Sequence, residues 1–175
     1  ENEINEIYKL VREETRKGIT YRELLEEFAE NDEGSEYQYS NIYSKVLRDL
    51  SINEIDELSQ NTNKPILIYF RNDRSINCEK LEEHVLTKRE VLEIIMQNFV
   101  FVELNVNDNT VLPESEQMIF GKQKIETIGQ RNLNFQIKKF GNNSHPLIVK
   151  LNRKGELESM VGYVNLGIFL DFLIE

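Results

Sequence analysis

Two apolar runs of strand length constrain most strongly what this sequence can fold into. Residues 66–70 read Ile-Leu-Ile-Tyr-Phe, and residues 99–106 read Phe-Val-Phe-Val-Glu-Leu-Asn-Val. Such runs are typical of strands that are buried on both faces of a sheet. A helical stretch from about residue 76 to 97 separates them, and a strand–helix–strand unit has a right-handed crossover. The pattern predicts an α/β fold built on a parallel or mixed sheet.

The C-terminal part of the chain extends this pattern. Residues 147–151 form a further apolar run, and residues 152–155 read Asn-Arg-Lys-Gly, which is typical of a turn. Residues 157–161 then complete a predicted hairpin. A final helix is predicted from apolar residues at helical spacing, namely Leu166, Phe169, Leu170 and Leu173. The predicted order is strand, helix, strand, helix, hairpin, helix.

The first 60 residues follow a helical pattern instead. Capping signals divide them into predicted helices near residues 2–17, 20–31, 38–49 and 51–60. Residues 1–60 hold 16 acidic and 7 basic side chains, whereas residues 61–175 hold 15 and 14. This asymmetry suggests a boundary near residue 60. With the fourth helix counted in the main domain, we expect a helical extension over residues 1–50 and a main domain over residues 51–175.

The extension is too short for a core of its own, because about 50 residues bury too little apolar surface. We expect it to pack on the main domain through the apolar residues Ile7, Leu24, Phe28, Ile42 and Val46.

Composition excludes several classes of function. The net charge of −10 has the wrong sign for a surface that binds nucleic acid or anionic lipid. No stretch approaches the roughly 18 apolar residues that a membrane span requires. One cysteine and two histidines make a zinc site improbable, because zinc takes three or four such ligands. We expect no cofactor, and we expect His84 and His145 to be structural or solvated.

The four residues Ser75-Ile76-Asn77-Cys78 begin the first predicted helix of the main domain. Cys78 shares a helical face with Leu81 and Val85, so its thiol should point into the core. Ser75 lies where a hydroxyl can accept hydrogen bonds from the free N–H groups of the first turn. From spacing alone, the simplest interpretation is a capped helix with one buried cysteine.

A combination of motifs nevertheless resembles the C-terminal thioredoxin-like domain of DsbD-type thiol:disulfide interchange proteins. The resemblance covers about residues 52 to 175 and begins with Lys64-Pro65-Ile66-Leu67-Ile68-Tyr69-Phe70 and Ile76-Asn77-Cys78-Glu79-Lys80-Leu81-Glu82-Glu83. Further matches are Leu112-Pro113-Glu114, Phe135-Gln136-Ile137, Phe140-Gly141, Asn143-Ser144-His145-Pro146 and Val161-Gly162-Tyr163. The resemblance implies a thioredoxin-like fold, in which helices flank a central mixed sheet, after an all-helical N-terminal extension.

The resemblance also implies which residues occupy the active-site positions. Ser75 and Cys78 match the two catalytic cysteines of the family's Cys-x-x-Cys motif, so the nucleophilic cysteine is replaced by serine. Because a hydroxyl cannot form or break a disulfide, the site is degenerate. Ser144, His145 and Pro146 match the family's cis-proline turn, which implies a substrate-binding edge beside residue 75. A Ser75–His145 hydrolase pair is a remote alternative, because no acid is placed to orient the histidine.

Three functions follow from this resemblance. The first is a protein- or peptide-binding module that has lost dithiol redox chemistry. The second is an active thiol-disulfide oxidoreductase whose first active-site cysteine is replaced by Ser75 in this chain. The third and weakest is a monothiol redox enzyme that works through Cys78. The residues leave open whether the chain is an enzyme. The resemblance implies a protein or peptide partner, with a thiol/disulfide protein as one candidate. It also implies a location in a bacterial periplasm or cell envelope after signal removal.

Overall fold

The computed structural model describes residues 50–175 of the chain. The predicted helices near residues 2–17, 20–31 and 38–49 lie outside the described residues. So do the packing contacts expected of Ile7, Leu24, Phe28, Ile42 and Val46, which stay predictions. The fourth predicted helix is present and begins at Ser51, whose side chain accepts a hydrogen bond from the Glu54 N–H while Glu54 accepts one from the Ser51 N–H.

The described residues form five α-helices and six strands, numbered here in chain order. The first half contains α1 (Ile52–Asn61), β1 (Ile66–Arg71), α2 (Ile76–Leu81), α3 (Arg89–Asn98) and β2 (Val100–Asn105). The second half contains β3 (Met118–Phe120), β4 (Gln123–Ile125), α4 (Ile128–Phe140), β5 (Leu147–Leu151), β6 (Leu157–Val161) and α5 (Leu166–Ile174). A π-helical turn, Glu82–Leu86, continues α2, and a short 3-10 turn, Glu114–Glu116, precedes β3.

The main sheet has four strands in the order β2-β1-β5-β6. Strand β1 is parallel to β2, in a register that runs from Ile66 opposite Val100 to Arg71 opposite Asn105. Strand β5 is antiparallel to both β1 and β6. The predicted mixed sheet flanked by helices is therefore confirmed, and the C-terminal ends of β1 and β2 lie side by side.

The core of the domain lies on both faces of this sheet. Residues 66–70 are all buried, as the unbroken apolar run predicts. Because successive side chains of a strand point to opposite faces, Phe70 lies on the face opposite Tyr69 and Arg71. The ring of Phe70 packs on Phe135 and Phe140 of α4 at centroid distances of 6.0 and 5.9 Å. No described helix is both long and apolar enough to cross a bilayer.

The structure corrects the sequence-based prediction at two places. The helical stretch expected from about 76 to 97 is interrupted between α2 and α3. The Thr87 N–H donates to the carbonyls of Glu82 and Val85, and Lys88 is extended, with ψ of 135°. The hairpin of β3 and β4 was not predicted, because strands of three residues are too short for a periodic pattern.

Candidate functional site

The first half of the site is the N-terminus of α2. Ser75 is its N-cap, and its hydroxyl oxygen accepts a hydrogen bond from the Cys78 N–H at 3.4 Å. The Ser75 N–H donates to the carbonyl of Asn72, which holds the preceding loop in a tight turn. The Cys78 side chain is buried, and its Sγ accepts from the Asn72 N–H at 3.5 Å. The predicted N-cap and the predicted buried thiol are both confirmed.

The second half is the turn that precedes β5. The peptide bond between His145 and Pro146 is cis. The Ser75 hydroxyl donates to the carbonyl oxygen of His145 at 3.2 Å, although the two residues are 70 positions apart. The fold therefore brings together the two segments that the sequence singled out.

The His145 side chain has a different partner from its carbonyl. Its Nε2 lies 2.8 Å from Oε1 of Gln136, a buried residue of α4. The Gln136 amide donates in turn to the carbonyl of Ser144 at 3.0 Å. Burial lowers the pKa of His145 from its ordinary 6.5. The Ser75 bond thus goes to the backbone of His145 rather than to the imidazole, which argues against a serine–histidine pair.

Ser144 and His84 lie outside this hydrogen-bond chain. The exposed Ser144 side chain bonds locally, to Oδ1 of Asn142 at 2.7 Å. His84 is exposed, with Nε2 at 3.8 Å from a Glu83 carboxylate oxygen. Within the described part of the chain, no group of three or more His, Cys, Asp or Glu side chains could hold a metal ion.

Sequence reasoning missed a charged cluster on the α2 side of the sheet, centred on Arg71. The guanidinium lies 3.3 Å from Glu103, 3.2 Å from Asp73 and 3.0 Å from Glu82. The contact with Glu82 is an ion pair without hydrogen-bond alignment. Burial lowers the pKa of Arg71, but the charges of Glu103, Glu82 and Asp73 outweigh it, so the pKa is raised. The cation is therefore permanent and balances the buried carboxylate of Glu103.

The cluster extends into the loop that leads to Ser75. Asp73 accepts a hydrogen bond from the Asn105 amide at 2.7 Å, and the Asp73 N–H donates to the Asn107 side chain at 3.1 Å. The Tyr69 hydroxyl donates to Glu82 at 2.9 Å, and burial followed by the charge of Glu82 raises the pKa of Tyr69. These bonds connect the ends of β1 and β2 to the loop and fix the approach to α2.

One sequence signal could have revealed this cluster. Arg71 and Glu103 are charged side chains within or beside apolar strands, where an unpaired charge is strongly disfavoured. The signal identifies the two residues but not their pairing. That pairing depends on the parallel register of β1 and β2, in which Tyr69 lies opposite Glu103.

Comparison with known proteins supports the fold. Residues 52–175 match the family described as thioredoxin-like domain. A structure described as "DsbH Oxidoreductase" is similar at 18% identity and a TM-score of 0.53, covering 71% of this chain and 79% of that one. A thioredoxin-fold protein from Helicobacter pylori is similar at 19% identity and a TM-score of 0.50, covering 81% and 80%.

The Neisseria meningitidis DsbD C-terminal domain in its reduced form is similar at 19% identity, covering 68% of this chain and 87% of that one. Its TM-score of 0.44 adds no weight to the fold assignment. No curated protein sequence matches significantly. The family match and the two higher-scoring structures confirm the thioredoxin fold that the resemblance implied.

Proposed function

Because a family match over residues 52–175 shows that the chain belongs to the thioredoxin-like domain family, we propose that it is a protein- or peptide-binding module whose dithiol redox activity is lost. The observation that carries the proposal is the identity and position of Ser75. It caps α2 and bonds the His145 carbonyl beside Pro146, so a hydroxyl stands where the family resemblance implies the attacking thiol.

The chemistry of disulfide exchange explains why one serine abolishes it. A thiolate attacks a substrate disulfide, one substrate sulfur leaves, and a second thiol of the enzyme resolves the mixed disulfide. A serine oxygen cannot form the first sulfur–sulfur bond. Cys78 is 1% exposed and lies behind Ser75 along the helix, so a substrate disulfide cannot reach its sulfur without local opening. Neither residue supports turnover.

The binding part of the site is supported by different residues. The Ser144–Pro146 turn is held by Ser75 on one side and by Gln136 on the other. Ile76, directly after Ser75, leaves 64% of its surface exposed and offers an apolar contact next to the turn. An extended segment of a partner protein fits such a site, because main-chain groups of the turn can hydrogen-bond to it and an apolar neighbour supplies a side-chain contact. From the family resemblance, we propose a bacterial periplasm or cell envelope as the location of this activity.

The second candidate is an active oxidoreductase in which Ser75 replaces the natural cysteine. The geometry around residue 75 supports this candidate. The sulfur of a cysteine at position 75 would take nearly the same place as the serine oxygen, between the Cys78 N–H and the His145 carbonyl. One structural neighbour is described as an oxidoreductase. The natural coding sequence at codon 75 separates the two candidates directly.

The substitution Ser75→Cys tests the proposal. In air the variant should form a disulfide with Cys78. With dithiothreitol as the reductant it should catalyse the reduction of insulin, because the helix N-terminus and the Pro146 turn are already in place. The unmodified protein should give no reduction above a no-enzyme control. Losing the N-cap hydroxyl should cost on the order of 1 kcal/mol of stability, which leaves the fold intact.

The double variant Ser75→Cys/Cys78→Ser is the matched control, since it restores the outer thiol but not the resolving one. It should form mixed disulfides without turnover. A Ser75→Cys variant that forms its disulfide but does not reduce insulin would favour a specialised binding module, with the loop of residues 71–74 also altered. Insulin reduction by the unmodified protein would overturn the proposal.

A further inference from the structure

The hairpin of β3 and β4 carries an exposed apolar surface that the candidate site does not use. Met118, Ile119 and Phe120 are 46%, 77% and 47% exposed. Side chains alternate along a strand, so Met118 and Phe120 lie on one face of the hairpin and Ile119 on the other. We call Met118 and Phe120, together with Lys122 and Lys138, the hairpin surface. Exposed large apolar side chains that lie close together are typical of a contact surface rather than of scattered surface residues.

The hairpin surface is basic as well as apolar. The Nζ of Lys138, on α4, lies 3.6 Å from the centroid of the Phe120 ring. Lys122 lies at the exposed turn between the strands, and residues 117–125 contain no acidic side chain. An occupant of this surface should therefore combine apolar side chains with negative charge.

The described part of the chain begins beside this hairpin. The carbonyl of Leu50 accepts a hydrogen bond from the Arg131 guanidinium at 3.4 Å. The same guanidinium lies 3.4 Å from the carboxylate of Glu116, two residues before β3. The 49 residues that precede Leu50 are thus tethered next to the hairpin surface, and tethering gives them a high effective concentration there.

Those 49 residues contain one segment with the required chemistry. Residues 20–36 hold seven acidic side chains and a single basic one, Arg22. Within them, Leu24, Leu25 and Phe28 recur at the spacing of one helical face. The 14 residues from 36 to 50 reach up to about 46 Å when extended, so the tether does not limit contact.

We propose that residues 20–36 of this chain dock on the hairpin surface, with Leu24, Leu25 and Phe28 on its apolar side chains. The acidic residues of the segment then face Lys122 and Lys138. The contact makes the hairpin the anchor of the N-terminal extension, and it is independent of the chemistry at Ser75. A second copy of the chain is the competing occupant. It would have to bind from free solution, whereas residues 20–36 are held at a high effective concentration by the chain itself.

Hydrogen exchange of the full chain, followed by mass spectrometry, tests the docking. Met118→Asp should speed exchange within residues 20–36 by on the order of tenfold, because it places a charge in the apolar contact. Ile174→Asp is the matched control: Ile174 is 70% exposed, but it lies on α5, and its substitution should leave residues 20–36 unchanged. Unaltered exchange over residues 66–71 verifies that each variant is folded.

Zero-length carbodiimide cross-linking provides the second readout. Lys122 or Lys138 should become linked to acidic residues of 20–36 within a single chain at micromolar protein, and Met118→Asp should lower that yield severalfold. Links found only between two chains would show that a second copy is the occupant. Equal exchange in Met118→Asp and Ile174→Asp, or links from residues 20–36 to other lysines only, would also overturn the proposal.

Discussion

The two faces of β1 are built from neighbouring residues but differ in kind. On one face, Phe70 is fully buried against the rings of Phe135 and Phe140. On the other, Tyr69 and Arg71 contact carboxylates through the Tyr69–Glu82 hydrogen bond and the Arg71 ion pairs. The apolar face supplies stability by removing hydrocarbon from water, whereas the polar face fixes the loop that leads to Ser75.

This difference teaches that stability and site geometry are separable in this domain. Aromatic burial is insensitive to direction, so it holds the helix α4 on the sheet without specifying the loop. Charged hydrogen bonds are directional and worth little net energy, so they specify geometry more than they stabilise. The four predictions that follow test this separation.

The largest expected effect is that of Phe70→Ala. It should lower the free energy of unfolding by about 3–5 kcal/mol, because it leaves a cavity between two rings in a fully buried layer. Urea denaturation followed by circular dichroism measures the loss. A loss below about 1 kcal/mol would mean that the aromatic face does not dominate stability, and the comparison would fail.

Arg71→Met should have a smaller effect on stability and a larger one on the loop. It removes the cation beside Glu103, a side chain that is only 3% exposed, and should cost about 1–3 kcal/mol. Because Asp73 also loses its ion pair, backbone exchange over residues 72–75 should speed up.

The double variant Arg71→Met/Glu103→Gln sharpens this prediction. It should lose less stability than the sum of the single variants, since neither charge is then left without the other. Additive losses would contradict the direct pairing of Arg71 with Glu103 across the two parallel strands.

Tyr69→Phe should cost on the order of 1 kcal/mol, the usual net value of one hydrogen bond. Burial and the charge of Glu82 raise the pKa of Tyr69 above its ordinary value of 10.0. Tyr69 therefore keeps its proton in the folded state when it would lose it in the unfolded one. The stability that comes from this raised pKa is fully present below pH 10 and is lost as the pH rises further. Alkaline titration followed at 295 nm should show a tyrosine that ionises well above pH 10, and Tyr69→Phe should remove this high-pH transition.

The smallest expected effect concerns His145, in the turn that precedes β5. Burial lowers its pKa below 6.5 in the folded state. The unfolded chain then binds a proton more readily, so stability declines as the pH falls through 6.5 and levels off below the folded pKa. Proton NMR of the two histidines, with His84→Gln to assign them, should locate this titration. A His145 pKa above 6.5 would contradict the half-buried position beside Gln136.

Much of the fold could be predicted because its signals are local. The runs at 66–70, 147–151 and 157–161 correspond to β1, β5 and β6 within one residue. The caps at Ser51 and Ser75 were predictable for the same reason, because an N-cap contacts residues two or three positions ahead. The buried position of Cys78 followed from its spacing to Leu81 and Val85.

The sequence by itself determined the order of the main-sheet strands, the mixed sheet and the Ser75 and His145 segments of the candidate site, because apolar periodicity and capping depend on near neighbours. Only the tertiary structure decided that the Ser75 hydroxyl bonds the His145 carbonyl, that the His145 ring bonds Gln136, and that Arg71 joins three carboxylates. These contacts join residues from 2 to 70 positions apart. Strand register and helix docking, rather than local sequence, set which polar groups meet.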